Sequence, residues 1–205
     1  MKNPSPRTQV DGRAAEVYRT AAKLILQKGY DATSVGDIAD ALGITKAGLY
    51  HYIRGKTELL YDIMKYGLEE LDRTVMVPAR AIADPAERLR FVITTHAQIV
   101  TRGDGAVTIL VDEARALTAA QYRHVTKLKR AYVDFLRDTM NELRDAGKLR
   151  EVNTTVAAFS IIAAVNWLSR WYQPEGPLTA NEIAQQITDI ALNGVLRPQG
   201  PRRVS

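Results

Sequence analysis

Within the eleven residues from Lys46 to Lys56, "KAGLYHYIRGK", the chain sets two lysines, an arginine, a histidine, two tyrosines and a helix-interior glycine. No nucleophile stands beside a base here, so the stretch does not read as bond-making chemistry. Lysines, arginine and tyrosine hydroxyls suit phosphate oxygens, Lys46 and His51 suit base edges, and a residue without a side chain lets backbone come close to a large partner. Taken singly, each has a plainer reading: Tyr50 as a half-buried packing ring, His51 as a surface imidazole, Lys46, Arg54 and Lys56 as solvated charges. Taken in order, they favour a duplex. A second group lies far along the chain. Asn166 and Arg170, and Trp167 and Trp171, are each four apart and form adjacent stripes on one helix. A cation beside two aromatic rings can clamp an anionic, partly aromatic ligand. Phe91, His96, Asp112, Glu113, Tyr132, Phe135 and Tyr172 are the other side chains suited to line such a pocket. The plainer reading is that the tryptophans, Trp171 above all, fill a core or a dimer interface, and that Arg170 pairs with an acid such as Glu113.

Several classes are excluded. The chain has no cysteine among its 205 residues, so neither a disulfide framework nor a thiolate metal site is available. His51, His96 and His124 show no metal-ligand spacing, "RGDGA" is a turn and not a phosphate loop, and no nucleophile elbow occurs. No catalytic residue, metal or cofactor is therefore expected, and an enzyme is the reading least supported. The start "MKNPSPRTQVDGR" has no apolar secretory core, and "AAFSIIAAVNWL" is too short to cross a bilayer, so the expectation is a cytoplasmic protein without a membrane partner. Net charge is +5, and residues 1–60 carry nine Lys/Arg against six Asp/Glu. That bias fits a polyanion partner without demanding one.

The elements that must position these residues are all helical. The pattern predicts an all-α fold of about nine helices, with a basic flexible arm over 1–11, a three-helix head over 12–56, a larger body over 57–196 for ligand binding and dimerisation, and a disordered tail over 197–205. Helix 1 is expected from about Gly12 to Lys28. Ser34 caps helix 2, with Asp37 closing a capping box. Gly43 bends the chain, Thr45 caps helix 3, and helix 4 runs from about Thr57 to just before Pro78. Further helices are expected from Pro85, over 106–115, from Thr118 to Ala146, over 154–171, and from Thr179 to about Asn193. Helix 2, its turn and helix 3 have the spacing of a helix-turn-helix. Leu49 and Ile53 face the core, which turns Ala47 and His51 outward, with Gly48 and Tyr50 flanking that face. "VAAFSIIAAVNWL" is apolar nearly all round. "NEIAQQITDIALNGVL" sets Ile183, Ile187, Ile190 and Ala191 on one face. Two such helices from each of two subunits would build a four-helix bundle; the alternative is that they complete a monomer's core.

Residues 13–60, above all "GYDATSVGDIA" and "GITKAGLYHYIRGKTEL", resemble the N-terminal domain of the TetR family of transcriptional regulators. The resemblance implies a homodimer on a palindromic operator in double-stranded DNA, with helix 3 in the major groove. It places Thr45, Lys46, Ala47 and Gly48 near base edges, and Ser34, Tyr50, Tyr52 and Lys56 on phosphates. Tyr52 stands where the family often has His, and Ile53 where it often has Phe. "VNWLSRWYQPEGPLTANEIAQQI", with "VDEARAL", is similar to the family's branch that governs fatty-acid, steroid and aromatic-acid degradation. That likeness implies an acyl-CoA thioester as effector, with Trp167, Arg170 and Tyr172 toward the CoA portion. A ligand-driven population shift that separates the heads makes repression relieved by ligand the default, with activation the other sign the sequence allows. A regulator sensing an uncharged hydrophobic compound is the alternative; a ligand-free helical scaffold is a more distant one.

Overall fold

A computed structural model describes residues 6–103, 105–108 and 116–198, and every regular element among them is helical. The helices are α1 (Pro6–Lys28), α2 (Val35–Ala41), α3 (Lys46–Leu49), α4 (Lys56–Leu71), α5 (Val77–Ala79), α6 (Pro85–Thr101), α7 (Gly105–Thr108), α8 (Ala119–Asp145), α9 (Thr154–Trp171) and α10 (Ala180–Val195), with a π turn over Asp72–Met76 joining α4 to α5. The chain divides into two compact units. One contains residues 1–70 and 103–128, the other 71–102 and 129–205. This partition differs from a head over 12–56 and a body over 57–196, because α4 and the start of α8 cluster with the first three helices.

In the first unit, α1 buries Val17, Ala21 and Ile25. Gly29, at φ +86, ends it in the left-handed region that a side chain would oppose. Ile38 and Ala39 of α2 and Leu49 and Ile53 around α3 close the small core. Gly43, at φ +64, supplies the turn between those helices. Leu59, Leu60, Ile63 and Met64 line the inner face of α4, and α7 adds Ala106 and Val107. Each fully buried side chain of this size contributes roughly 1.5–3 kcal/mol of transfer free energy. At Gly67, a Cβ would stand 2.4 Å from the Ala106 carbonyl oxygen, so only glycine admits this approach of α7 to α4.

In the second unit, Asp84 caps α6 through the Ala86 and Glu87 amides, with Pro85 at the first helical position. Leu89, Val92, Ile93 and Ala97 of α6 meet Leu136, Met140 and Leu143 of α8, Ala158, Ile161, Val165 and Leu168 of α9, and Ala184 and Leu192 of α10 in one apolar core. A polar ladder ties α6 to α10: Arg90 to Asp189 at 2.8 Å, Thr94 to Thr188 at 2.9 Å and Gln98 to Asn181 at 3.2 Å. Such pairs fix register more than they add stability.

The structure departs from the sequence expectation in several places. α1 begins at Pro6, so the arm does not extend to residue 11; proline is well tolerated in a helix's first turn, where its missing N–H has no partner to lose. The helical path runs through Pro78 to Ala79 instead of stopping before it. A π turn, in which the Val77 amide donates to the Asp72 carbonyl, widens the backbone just upstream of the proline ring. α3 closes at Leu49, and tight turns carry the chain through Tyr52. Arg197 is no free tail residue: its amide donates to the Lys148 carbonyl and its Nε to the Leu149 carbonyl, beside an isolated antiparallel bridge between Leu149 and Leu196. On α10 the buried residues are Ile183, Ala184, Thr188, Leu192 and Val195, Ile187 and Ala191 are half-buried, and Ile190 is 72% exposed. Thr188 is tolerated inside because its hydroxyl bonds to the Ala184 carbonyl and to Thr94.

Candidate nucleic-acid interface and buried polar group

The head presents its expected face to solvent. Thr45, Lys46, Ala47, Tyr50 and His51 are exposed, while Gly48, Tyr52 and Lys56 are half-buried. What holds them there is local. Thr45 caps α3, its hydroxyl accepting from the Gly48 amide at 3.0 Å. Leu49 and Ile53 lock the opposite face inward. A Cβ on Gly48 would meet only the Thr45 hydroxyl, at 3.3 Å, and Ile44 Cβ, at 3.8 Å. No backbone obstructs it, and its φ lies outside the left-handed region. The fold therefore places little demand on glycine at this position, whereas at Gly67 it demands glycine outright.

Lys56 is engaged within the head, and Lys46 lies back against it. Lys56 Nζ donates to the Asp31 carbonyl at 3.1 Å and stands 4.3 Å from the centre of the Tyr30 ring. The Lys46 stem lies back over Gly36, where a Cβ would stand 2.8 Å from its Cε. Ser34 and Asp37 form the capping box reciprocally: the Asp37 amide donates to Ser34 Oγ at 3.0 Å and the Ser34 amide to Asp37 Oδ2 at 2.7 Å. The Ser34 hydroxyl also donates to Asp37 Oδ2 at 2.6 Å, and this bond holds the Asp37 carboxyl down at about 2. Ser34 must therefore exchange that acceptor for a phosphate before it can hold one.

Of the side chains proposed to line a pocket, the structure brings three together. The His96 imidazole and the Tyr132 ring meet edge to face at 5.4 Å between centroids. Tyr132 Oη and His96 Nδ1 are 3.0 Å apart. His96 is 2% and Tyr132 5% exposed. Burial pushes the imidazole down to about 4, slightly opposed by the neighbouring Asn166 carboxamide, and pushes the phenol up. His96 is therefore neutral near pH 7. Although Asn166 is close enough to act on the imidazole, His96 Nε2 and Asn166 Oδ1 are both buried without a hydrogen bond of acceptable geometry. A buried polar atom left unpaired costs about 1–3 kcal/mol.

The remaining candidates are not part of this group. Phe91 is half-buried on α6, and Phe135 is half-buried under the Arg80 guanidinium at 5.5 Å. Trp167 is 64% and Trp171 49% exposed, so neither fills the core, because their faces of α9 point away from α6. Arg170 is exposed and Tyr172 half-buried. Glu113, with Asp112, lies outside the described residues. The second surface worth noting is the outer face of α9, where Val156, Phe159, Ala163, Ala164 and Trp167 are all exposed, with Ile190 exposed on α10. No helix among the described residues is long and apolar enough to cross a membrane.

Comparison with known proteins bears on both surfaces. Residues 17–63 match the family profile described as bacterial regulatory proteins, tetR family, and residues 83–195, just over half of the chain, match the tetracyclin repressor-like C-terminal domain. The HTH-type transcriptional repressor KstR2 of Mycobacterium tuberculosis is 29% identical over 191 residues, spanning 92% of this chain and 96% of that protein. The crystal structure of AibR in complex with isovaleryl coenzyme A and operator DNA superposes with a TM-score of 0.79 at 37% identity, over 91% of this chain and all of AibR. The structure of the ketosteroid transcriptional regulator KstR2 superposes with a TM-score of 0.80 at 27% identity, over 91% of this chain and 96% of that one.

Proposed function

Because the chain belongs to the TetR family, whose members are DNA-binding transcriptional regulators and not enzymes, we propose that it is a homodimeric repressor released from a palindromic operator by an acyl-CoA thioester. The observation that carries this reading is the likeness to AibR over that protein's whole length, since AibR was solved with both isovaleryl coenzyme A and operator DNA.

In the proposed complex α3 enters the major groove. Thr45, Lys46, Ala47 and His51 reach base edges, and Gly48 lets the helix approach closely. Tyr50, Tyr52, Lys56 and, after releasing Asp37, Ser34 hold phosphates. Two heads roughly 34–36 Å apart read successive major-groove faces. The exposed apolar stripe of α9, joined by Ile190, supplies the self-complementary surface of a twofold interface. His96, Tyr132 and Asn166 face the effector, with Phe91, Glu113 and Phe135 as further lining; Trp167, Arg170 and Tyr172 serve the CoA portion at the end of α9. Effector binding favours a conformation whose heads no longer match the half-site spacing. The extent of release is set by the ester's difference in affinity between the two conformations.

The test is a gel-shift titration on a duplex selected by the protein from a random pool. Isovaleryl coenzyme A, a longer acyl-CoA and free coenzyme A are added in turn. The expected result is release by an ester and not by free coenzyme A; a shift indifferent to every ester overturns the effector assignment.

A further inference from the structure

α8 is one unbroken helix from Ala119 to Asp145. Val125, Tyr132, Leu136, Met140 and Leu143 make its buried side. On the opposite side Arg123, Lys127, Asp134 and Asp138 are all exposed. At about 3.6 residues per turn these four lie within about 60° of one another around the axis. The stripe is divided by charge, with the cations first and the carboxylates after them. This segregation does not serve the helix itself. Arg123 with Lys127, and Asp134 with Asp138, are like charges four apart, which disfavour a helix. Nor does the rest of the chain absorb it. Among the described residues Arg123, Lys127 and Asp138 make no ion pair, and Asp134 meets Arg137, three residues on, at 3.0 Å near the surface.

The four positions carry a symmetry of their own. Along α8 the steps between them are four, seven and four residues, the same from either end. An antiparallel copy of the helix, turned about an axis between Arg130 and Ala131, therefore brings Arg123 opposite Asp138 and Lys127 opposite Asp134, each pair twice. A parallel copy would set like against like. Ala120 and Ala131 are exposed and small, which leaves room for close approach. Arg130 lies toward one edge of the stripe, where its long side chain can turn to water.

We propose that the outer face of α8 is a second contact between copies of this chain, separate from the α9 face and formed by two α8 helices pairing antiparallel through these charges. Exposed ion pairs are individually weak and are screened by salt. The contact therefore forms where copies are already crowded, as between regulators on neighbouring sites of one duplex, and makes their binding cooperative. A polyanion is the poorer occupant, since Asp134 and Asp138 would repel it.

Sedimentation equilibrium of the full chain, loaded at up to about 1 mM, tests the contact. In about 50 mM salt the wild type is expected to form a species at least twice the mass it has in about 0.5 M salt. An apolar contact through α9 does not dissolve in salt. The mass at high salt therefore reads α9, the salt-labile step reads α8, and either can fail without the other. Lys127→Glu sets a carboxylate opposite the partner's Asp134, and Asp134→Lys sets an ammonium opposite the partner's Lys127. Each is expected to weaken the salt-labile step at least about tenfold. Combining the two exchanges the members of the pair and should restore association to within about threefold of the wild type. Absence of a salt-labile step in the wild type overturns the contact. So does its survival in either single variant, or its loss in the double one. A larger species that appears only when duplex is added would assign the cations to nucleic acid and overturn the contact equally.

Discussion

Gly67 on α4 and Ala106 on α7 touch backbone to backbone, so closely that a methyl group on Gly67 would lie 2.4 Å from the Ala106 carbonyl oxygen. In an ordinary helix, Gly67→Ala would gain about 1 kcal/mol of propensity. Here overpacking against an unyielding carbonyl costs about 1–3 kcal/mol or more and outweighs it. The expected outcome is a fall of several degrees in Tm, measured by calorimetry, with α7 displaced from α4. An unchanged or raised Tm would show that the contact yields without cost.

Gly48 makes the opposite case. Its added methyl would meet one hydroxyl and one side-chain carbon at ordinary or slightly tight distances. Gly48→Ala is expected to change stability by less than about 1 kcal/mol in urea unfolding, the propensity gain and the tight contact nearly cancelling. Operator affinity should nonetheless drop by about tenfold or more, as loss of close approach in the groove costs about 1–3 kcal/mol. Equal affinity would remove the reason for glycine there.

Lys56 is held by the Asp31 carbonyl and the Tyr30 ring in the unbound protein. Both contacts are near the surface, so Lys56→Ala is expected to leave the fold intact. It should weaken binding about equally on every duplex and flatten the slope of log affinity against log salt by about one unit per head. A slope equal to that of the wild type would mean no phosphate contact.

The buried imidazole sets a pH dependence of stability. His96 falls from an ordinary 6.5 to about 4 in the folded chain. Between those values the unfolded chain binds the proton and the folded one does not, so stability rises with pH across that window. The contribution is complete above about 6.5 and is lost as pH falls through about 4; its full size is on the order of 3 kcal/mol. Urea unfolding at pH 7.5 and pH 5 should differ accordingly, and His96→Gln should remove the difference. A difference that survives in the variant would have to be assigned to other groups.

The outer face of α9 is expected to be the subunit contact. Phe159→Glu together with Trp167→Glu sets four carboxylates against one another across a twofold axis. The chain should then sediment as a folded monomer with weakened operator binding. A variant that remains dimeric would move the interface elsewhere.

Much of this was legible in the sequence, for identifiable reasons. Caps and stops are local, so Ser34 with Asp37, Pro85 and Thr179 marked helix starts that the structure retains. The outward set of α3 followed from Leu49 and Ile53 alone. What depended on packing between distant segments was not legible. Neither the contact at Gly67 nor the burial of Thr188 leaves a local trace. The exposure of Trp167 was not legible either, because it depends on which sides of α9 the other helices cover. The capping box was read, but not its consequence that Asp37 occupies the Ser34 hydroxyl. His96 and Tyr132 are 36 residues apart in sequence, and only the fold joins them.

The central claim is that one free energy couples an occupant of the helical body to the reading heads. It is tested most directly by measuring the Kd of isovaleryl coenzyme A with and without saturating operator duplex, and the Kd of the duplex with and without saturating ester. Linkage requires the two ratios to be equal, and a working switch of this kind has a factor of about 5–150. The account predicts that the duplex weakens the ester by the same factor as the ester weakens the duplex. An ester affinity unaltered by the duplex would contradict it.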